Sequence, residues 1–354
     1  MSNNRKPHFI ILGNEVQNDH DYWVKACEAH KDKCTYSIVD LTSSGWLEII
    51  KSTNCDYLLA KPGGLTSAFK QFYDERVLIL TKILGLPIFP SLDEILIYEN
   101  KRFFSYWLKA NELPSPQTDV FYHKNEALKF IEKAKIPIVT KINIGASGSG
   151  VKILKSTEET KQYIKDVFSK GVVSKSGPRL DKGKILNRVW RKITHPDELK
   201  NRLTAYKSVA SDIQKNFIIF QEYIPHKFEW RVVRIGDSFF AHKKVVRGEM
   251  ASGLLLKEYD DPPKGLLTFV RNITDRFGFY SQAVDIFESP RGYLINEMQC
   301  IFGQSDSYQM LVNDKPGRYL FMNNQWIFEE GMFNTNKSYD LRIKYLLSKL
   351  TKKL

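Results

Sequence analysis

Cysteine is scarce in this chain and carries no pattern: Cys27, Cys34, Cys55 and Cys300 show no CxxC spacing. A disulfide framework is therefore not expected, and the thiol usage fits a reducing, cytoplasmic setting. Long apolar runs are also missing. The most apolar internal stretch, Val77 to Pro90, is interrupted by Lys82, Gly85 and Pro87, so no membrane span is expected. The leading MSNNRKPHFIILG has an apolar run too short for a signal peptide and no small-residue cleavage pattern. No zinc-finger, RNA-recognition or helix-turn-helix signature occurs. No internal repeat is evident, and no Ser or Cys stands in a nucleophile motif.

What is present suits a folded protein with an anionic partner. The 354 residues, 42% hydrophobic and 13% aromatic, suffice for two or three lobes with buried cores. The net charge of +13 points to a nucleotide, nucleic acid, anionic sugar or membrane surface as partner. Its excess is dispersed, much of it in Lys170 to Arg202 and the C-terminal lysines, which reads as a solvated surface more than a nucleic-acid groove.

Strand-like and helix-like segments alternate over residues 8–90: strands at His8–Gly13, Tyr36–Val39, Asp56–Ala60 and Pro87–Phe89, helices at Asp21–Ala29 and Ser67–Leu84. Such alternation predicts a parallel, open, doubly wound sheet. Gly13-Asn14-Glu15 and Lys61-Pro62-Gly63-Gly64 would lie beyond its strand ends, where such sheets bind ligands, although both read equally as plain β–α turns. A helix over Tyr98–Leu108, a strand over Gln117–Tyr122 and a helix over Glu126–Ala134 follow. Ser156-Thr-Glu-Glu159 reads as a capping box opening a helix to about Ser169. Residues 170–210 are the least legible, with a helix expected around Asp197–Ser211.

From Phe217 the pattern turns to strands: Phe217–Ile224, then Arg231–Ile235 and Phe239–Arg247 about a Gly236-Asp237 turn. A helix over Pro263–Phe277, strands over Gln282–Phe287 and Tyr293–Gln299, and a helix from Ser338 to Leu350 complete the chain.

Ile136 to Val151, IPIVTKINIGASGSGV, reads as strand, glycine loop, strand. Gly145, Gly148 and Gly150, with Ser147 and Ser149 between them, would let backbone N–H groups approach a phosphate beside Lys141. An ordinary flexible hairpin is the alternative. The loop is not a P-loop, because no Gly-Lys-Ser/Thr follows, and it lacks the strand-to-helix setting of a dinucleotide fingerprint.

Asp285 and Glu297 each interrupt an apolar strand, and the two strands read as sheet neighbours. A carboxylate among buried strand residues is costly unless paired or bound to a cation. With Gln299, on the same face as Glu297, they make an oxygen-ligand set for Mg²⁺, the alternative being a pair of surface-facing acids on an exposed sheet.

These pieces together resemble the ATP-grasp superfamily of carboxylate–amine ligases, in particular its ribosomal-protein glutamate ligase and glutathione synthetase branches. The resemblance runs from about Ile95 to Gly303: Asn100-Lys101, Leu113–Thr118, Val139–Lys141 with Gly145–Val151, Gln221–Ile224, Glu229, Val284–Ile286 and Asn296–Gln299. It implies an α/β (α+β) architecture in three parts: an α/β domain over 1–95, a lid with the glycine-rich flap over 96–215, and a metal-bearing part over 216–354. Lys101 and Lys141 would contact ATP phosphates and Gly145–Gly150 would cover them. Glu222, Tyr223 and Ile224 would read the adenine edge, and Glu229 would take the ribose hydroxyls. Asp285 and Glu297 would hold Mg²⁺ (or Mn²⁺), with Gln299 standing where the family usually has asparagine. Arg231, Lys243 and Arg247 would meet the acyl phosphate or acceptor. The implied activity is ADP-forming amide synthesis on small-molecule carboxylate and amine substrates. The segment Cys300–Tyr308 and the 170–210 insertion would shape the substrate pocket. A phosphotransferase on the same fold, or a non-catalytic nucleotide-binding module, are the competing readings.

Overall fold

The structure is a computed structural model; it describes residues 5–145, 150–174, 207–247, 250–251, 257–303 and 306–351, with backbone alone at 247, 250 and 251. The glycine-loop residues Ser147, Gly148 and Ser149 and most of the 170–210 insertion lie outside the described residues. Of the helix expected over Asp197–Ser211, residues 207–211 are described and helical.

The first part comprises β1 (His8–Gly13), α1 (Asp21–Ala29), β2 (Thr35–Asp40), α2 (Trp46–Ser52), β3 (Tyr57–Ala60), α3 (Ser67–Leu78), β4 (Ile88–Phe89) and α4 (Leu92–Ile97). Its four strands form a parallel sheet in the order β2-β1-β3-β4. β1 is apolar throughout because helices cover both its faces. Phe9 and Ile11 pack with Trp23 on one side, Ile10 and Leu12 with Trp46 and Tyr73 on the other. The helix expected to reach Leu84 ends at Leu78 and continues as a π-helical turn over Ile79–Ile83. Two short helices, α2 and α4, were not foreseen. Ser91 and Glu94 form a full capping box at the start of α4, so its signal was present in the sequence.

Next come α5 (Lys101–Ala110), β5 (Thr118–Phe121), α6 (Lys124–Ile131), β6 (Ile138–Lys141), β7 (Val151–Leu154), α7 (Thr157–Ser169) and β8 (Ile218–Glu222). The four strands make an antiparallel sheet ordered β5-β8-β6-β7. Ser156 caps α7 by accepting from the Glu159 N–H, while Glu159 reaches back to the N–H of Lys155 at 3.0 Å.

The last part holds β9 (Phe228–Ile235), β10 (Ser238–Arg247), β11 (Met250–Ala251), β12 (Lys257–Glu258), α8 (Lys264–Phe277), β13 (Ser281–Ser289), β14 (Gly292–Gln299), β15 (Leu311–Val312), β16 (Lys315–Met322), β17 (Gln325–Glu330) and α9 (Tyr339–Thr351). Its main sheet runs β14-β13-β9-β10-β16-β15. The β16–β17 hairpin had no counterpart in the sequence reading.

Packing crosses the expected boundaries at 95 and 215 in three places. β8, after residue 215, lies between β5 and β6 in the second sheet. α5, from the middle part, contributes Phe104 and Leu108 to the core of the third sheet. α9 returns to the first sheet, where Ile343 and Leu346 pack with Phe9, Ile11 and Trp23. Among the described residues, no helix is long and apolar enough to cross a membrane.

Gly236 closes the β9–β10 hairpin at φ +58°, and a Cβ there would sit 2.4 Å from Cδ2 of Tyr345 on α9. Gly236→Ala is therefore expected to destabilise the protein by at least the left-handed backbone cost of about 1–2 kcal/mol. Urea unfolding checks this, and an unchanged midpoint would show that the turn and α9 yield without cost.

Candidate active site

Register brings the ionisable residues together. Because Gly236-Asp237 is a two-residue turn, residues equidistant from it are partners: Ile235 faces Ser238, Arg231 faces His242 and Glu229 faces Lys244. On the other side of β9, Arg231 is opposite Asp285, and Asp285 is opposite Glu297 on β14. His242, Arg231, Asp285 and Glu297 thus form one row across four strands, with Lys244 and Glu229 beside it.

A β-bulge completes the face. The β13–β14 register shifts between Asp285 and Ile286, leaving Asn296 unopposed next to Glu297. Such a bulge re-aims side chains. Asn296 accordingly reaches the site, donating to Glu229 Oε1 (3.2 Å) and accepting from Lys141 Nζ (2.9 Å).

The result is one continuous polar chain. Lys101 Nζ donates to the Gly145 carbonyl at 2.6 Å and lies 3.4 Å from Glu99 Oε2. Gln299 donates to Glu99 Oε1 at 3.1 Å and accepts from Arg231 at 3.3 Å. Arg231 grips Asp285 bidentately at 2.7 and 2.8 Å. Lys244 bridges Asp285 and Glu229 at 2.7 and 2.9 Å. Through Asn296 the chain ends on Lys141 of the second sheet. Lys101 and Lys141, the two lysines expected to meet phosphate, are its two ends.

Asn143 anchors the first end. Its side-chain oxygen accepts from the Arg102 N–H at 2.7 Å and its carbonyl from the Lys101 N–H at 3.1 Å. Both donors are first-turn N–H groups of α5, which a helix start leaves unpaired.

The electrostatics follow from burial. Asp285 is 1% exposed. Burial alone would raise its pKa, but Arg231 and Lys244 outweigh that and hold it below the usual carboxylate range. Loss of hydration would lower the pKa of Lys244, yet Asp285 and Glu229 leave it raised. Burial lifts Glu99 to about 7, against the pull of Lys101 and with a push from Glu297. Lys141 is pushed down to about 8 by lost hydration, partly offset by Glu297. His242, buried beside Arg231 and Lys257, is lowered to about 3 and stays neutral.

Asp285 was expected to await a metal; the structure instead compensates it within the protein. Gln299 likewise bridges Arg231 and Glu99. Glu297 differs: among the described residues no side chain donates a hydrogen bond to it. No group of three or more His, Cys, Asp or Glu converges among the described residues. Of the expected oxygen-ligand set, Glu297 is therefore the carboxylate left able to meet a cation, beside an Asp285 locked by Arg231 and Lys244.

Other expected site residues are placed as follows. Lys243 points to the opposite sheet face, over Phe228 (4.7 Å) and Trp230 (5.2 Å), and pairs with Asp260. Strand alternation makes Lys244, one residue on, the lysine that reaches the site. Arg247 ends β10, and its side chain lies outside the described residues. Gly150 closes the β6–β7 hairpin against Ile142, where a Cβ would approach to 2.8 Å, so its small size serves packing. In the Glu222–Ile224 segment, the Glu222 N–H is bonded to Gln117, the Glu222 carboxylate pairs with Arg291, and the Ile224 carbonyl accepts from His226. Tyr223 follows β8 directly. Cys300, Ile301 and Phe302, at the start of the Cys300–Tyr308 segment, are buried in the cores.

Glu99, Lys244 and Asn296 were missed. Lys244 was recoverable: it stands seven residues after Asp237, as Glu229 stands seven before Gly236. Asn296 depends on the bulge and Glu99 on a backbone with φ +50°, neither of which leaves a sequence signal.

Lys244→Met should cost about 3–5 kcal/mol of stability, because it strands buried carboxylates. Adding Asp285→Asn to that variant should recover part of the loss, whereas Lys243→Met, which loses a ring contact and a partly exposed ion pair, should cost about 1 kcal/mol. Chemical unfolding of the three variants checks this. Equal losses for Lys243 and Lys244 would contradict the assigned faces.

Comparison with known proteins agrees with this architecture. Residues 99–180 match the family model for the phosphoribosylglycinamide synthetase ATP-grasp (A) domain. A phosphoribosylamine–glycine ligase of Caldanaerobacter subterraneus subsp. tengcongensis is 31% identical over 94 residues, 26% of this chain. The chain spans 22% of that relative's length. An N5-carboxyaminoimidazole ribonucleotide synthetase from Thermotoga maritima aligns with a TM-score of 0.52 at 14% identity, over 97% of this chain and 76% of its own. An ADP complex of an N5-carboxyaminoimidazole ribonucleotide synthetase gives 0.51 at 13% identity, over 86% and 73%. The D-alanine–D-alanine ligase of Bacillus anthracis gives 0.50 at 13% identity, over 84% and 88%. With an ATP-grasp domain model matching residues 99–180 and these likenesses to solved structures, the chain has the ATP-grasp fold.

Proposed function

We propose that the protein is an ATP-dependent ligase that joins a carboxylate to an amine through an acyl phosphate, releasing ADP. The observation that carries this reading is the polar chain between Lys101 and Lys141. Together with Glu297, whose charge acts on Lys141 from beside the chain, it sets four cations (Lys101, Lys141, Arg231, Lys244) against four carboxylates (Glu99, Glu229, Asp285, Glu297), a formal balance of zero. A nucleoside triphosphate entering a balanced site brings several uncompensated negative charges. The two terminal lysines offset part of them, and a divalent cation at Glu297 would offset more.

In this reading each side chain has a stated task. Lys101 and Lys141 hold phosphate oxygens; the part of the Gly145–Gly150 loop expected to cover them lies outside the described residues. Glu229 accepts from the ribose hydroxyls, and the backbone of Glu222–Ile224 meets the adenine edge. Arg231 and Lys244 keep Asp285 ionised and fixed. Mg²⁺, when bound, supplies charge neutralisation for the phosphoryl group in transfer. An amine then attacks the acyl phosphate, phosphate leaves, and an amide remains. No nucleophilic side chain is required. Arg231 supplies positive charge toward the acyl phosphate, as Arg247 would from the end of β10. The carboxylate and amine partners we propose are amino acids, peptides or acidic sugars, in keeping with the basic charge.

A phosphoribosylamine–glycine ligase among the sequence relatives and a D-alanine–D-alanine ligase among the fold neighbours support a ligase reaction. A mass-spectrometric screen of amino acids and carboxylates for ATP-dependent coupling with loss of water tests it. ADP formation without an amide product would instead select phosphotransfer to another acceptor.

Two predictions follow for the nucleotide. Lys141→Ala should weaken ATP binding by the worth of a charge-assisted hydrogen bond, about 1.5–3 kcal/mol, as measured by calorimetry. Because Lys141 sits near 8 in the free protein, a bound phosphate should raise it. Binding at about pH 8.5 should then take up a proton, and this uptake should vanish well below pH 7. Calorimetry in buffers of differing ionisation enthalpy reads the uptake directly, and none at either pH would remove Lys141 from the phosphate site.

A third prediction concerns the metal. Glu297→Gln removes a charge without breaking any hydrogen bond among the described residues. Its thermal melt should match the parent, while the Mg²⁺ concentration needed for half-maximal ADP release rises at least about tenfold, or 1.4 kcal/mol. Parental Mg²⁺ dependence would exclude Glu297 as a metal ligand.

A further inference from the structure

We propose, on the ligase reading above, that Lys257 is a specificity-determining residue. It takes the carboxylate of an acceptor that carries one close to its reacting amine, as an amino acid does, and so selects such acceptors over neutral amines.

Strand register brings Lys257 to the site. β12 runs antiparallel to β10, with Lys257 opposite Lys244 and Glu258 opposite Lys243. Directly opposed residues of an antiparallel pair project from the same sheet face. Lys244 bonds Asp285 and Glu229, so Lys257 faces the candidate site from one strand further out. The residues after it keep the alternation. Asp260, two beyond Glu258, pairs with Lys243 on the outer face. The Tyr259 ring lies 5.9 Å from that of His242, which stands in the row with Arg231.

Two lysines opposed on one face repel each other, and each has its own compensation. Lys244 is clamped by two buried carboxylates of the same sheet. Lys257 Nζ donates to Asp306 Oδ2 at 2.8 Å, and that carboxylate comes from the segment after β14. The Lys257 and Asp306 side chains are 14% and 39% exposed, against 8% and 1% for Lys244 and Asp285. A pair so open to water contributes at most about 1 kcal/mol. A lysine has three N–H donors, so a second carboxylate shares or takes this ammonium at small cost. The Asn334 amide donates to the Asp306 carbonyl, and Gln309 donates to Asn334 at 2.9 Å. The backbone of the segment is thereby held, and the exchange is one of side chains.

The spacing suits a small acceptor. β12 lies two strand spacings, about 10 Å, from β9 and its Arg231. Two long cationic side chains on one face narrow that gap. An amino acid with its amine at the acyl phosphate beside Arg231 has its carboxylate within reach of Lys257, whereas a neutral amine leaves that lysine to Asp306.

The test runs the coupling screen on the full-length protein with Mg²⁺–ATP, offering amino acids as acceptors, each beside its α-carboxamide. The wild type is expected to show a kcat/KM at least about tenfold higher for an amino acid than for its amide. Lys257→Met should raise KM for the amino acid by at least about tenfold and leave that for the amide unchanged. Lys257→Arg should keep the preference. Asp306→Asn removes a like charge from beside the incoming carboxylate and should lower KM for the amino acid, a direction that loss of a merely structural pair does not produce. Equal use of amino acids and amides by the wild type would overturn the proposal. So would a Lys257→Met protein that loses both alike or retains the full preference. No coupled product from any acceptor would instead overturn the ligase reading and this proposal with it, so the two failures are distinguishable.

Discussion

The structure depends on how one buried negative charge is satisfied. Asp285 lies in the middle of a strand flanked by strands on both sides, where an unpaired carboxylate would cost several kcal/mol. Arg231 and Lys244 together occupy both its oxygens. Removing either cation would leave charge stranded, so the pairing constrains the register of β9, β10 and β13 at once. The same three residues then organise their neighbours: Arg231 orients Gln299, and Lys244 orients Glu229. A pairing that stabilises the sheet thus also sets the geometry of the site.

This arrangement leaves the outer members of the cluster as the ones able to respond to a ligand. Lys141 and Glu99 have pKa values moved toward neutrality by burial, to about 8 and about 7. They sit at or next to the ends of the polar chain, where the second sheet and the start of α5 approach the third sheet. A rigid, compensated centre with shifted groups at its rim is a reasonable basis for binding a polyanion, because charge can be redistributed without rebuilding the core.

The three sheets are also joined by elements that return across the expected divisions. α5 packs Phe104 and Leu108 under the third sheet while its first turn is held by Asn143 from beyond β6. α9 carries the C-terminal part back onto the first sheet. Glu94 on α4 accepts from the Ser281 N–H at 2.9 Å, tying the start of β13 to the first part of the chain. Lobes that look separable along the sequence therefore share cores.

By itself the sequence determined the type and order of most elements and singled out the carboxylates and lysines from which the candidate site was read. These signals are local: continuous apolar runs marked β1 and β13, the Gly236-Asp237 turn set a hairpin, and carboxylates in apolar strands stood out at Asp285 and Glu297. It also contained, unread, the equidistance that puts Lys244 and not Lys243 opposite Glu229. Tertiary structure alone decided the partners of Asp285, which pair residues 54 and 41 positions apart. It decided the role of Asn296 through a bulge, and that of Glu99 through a left-handed backbone and a contact with Gln299, 200 positions away. The physical reason is that periodicity reports which way a side chain points from its own strand, whereas charge compensation depends on which strands become neighbours and in what register.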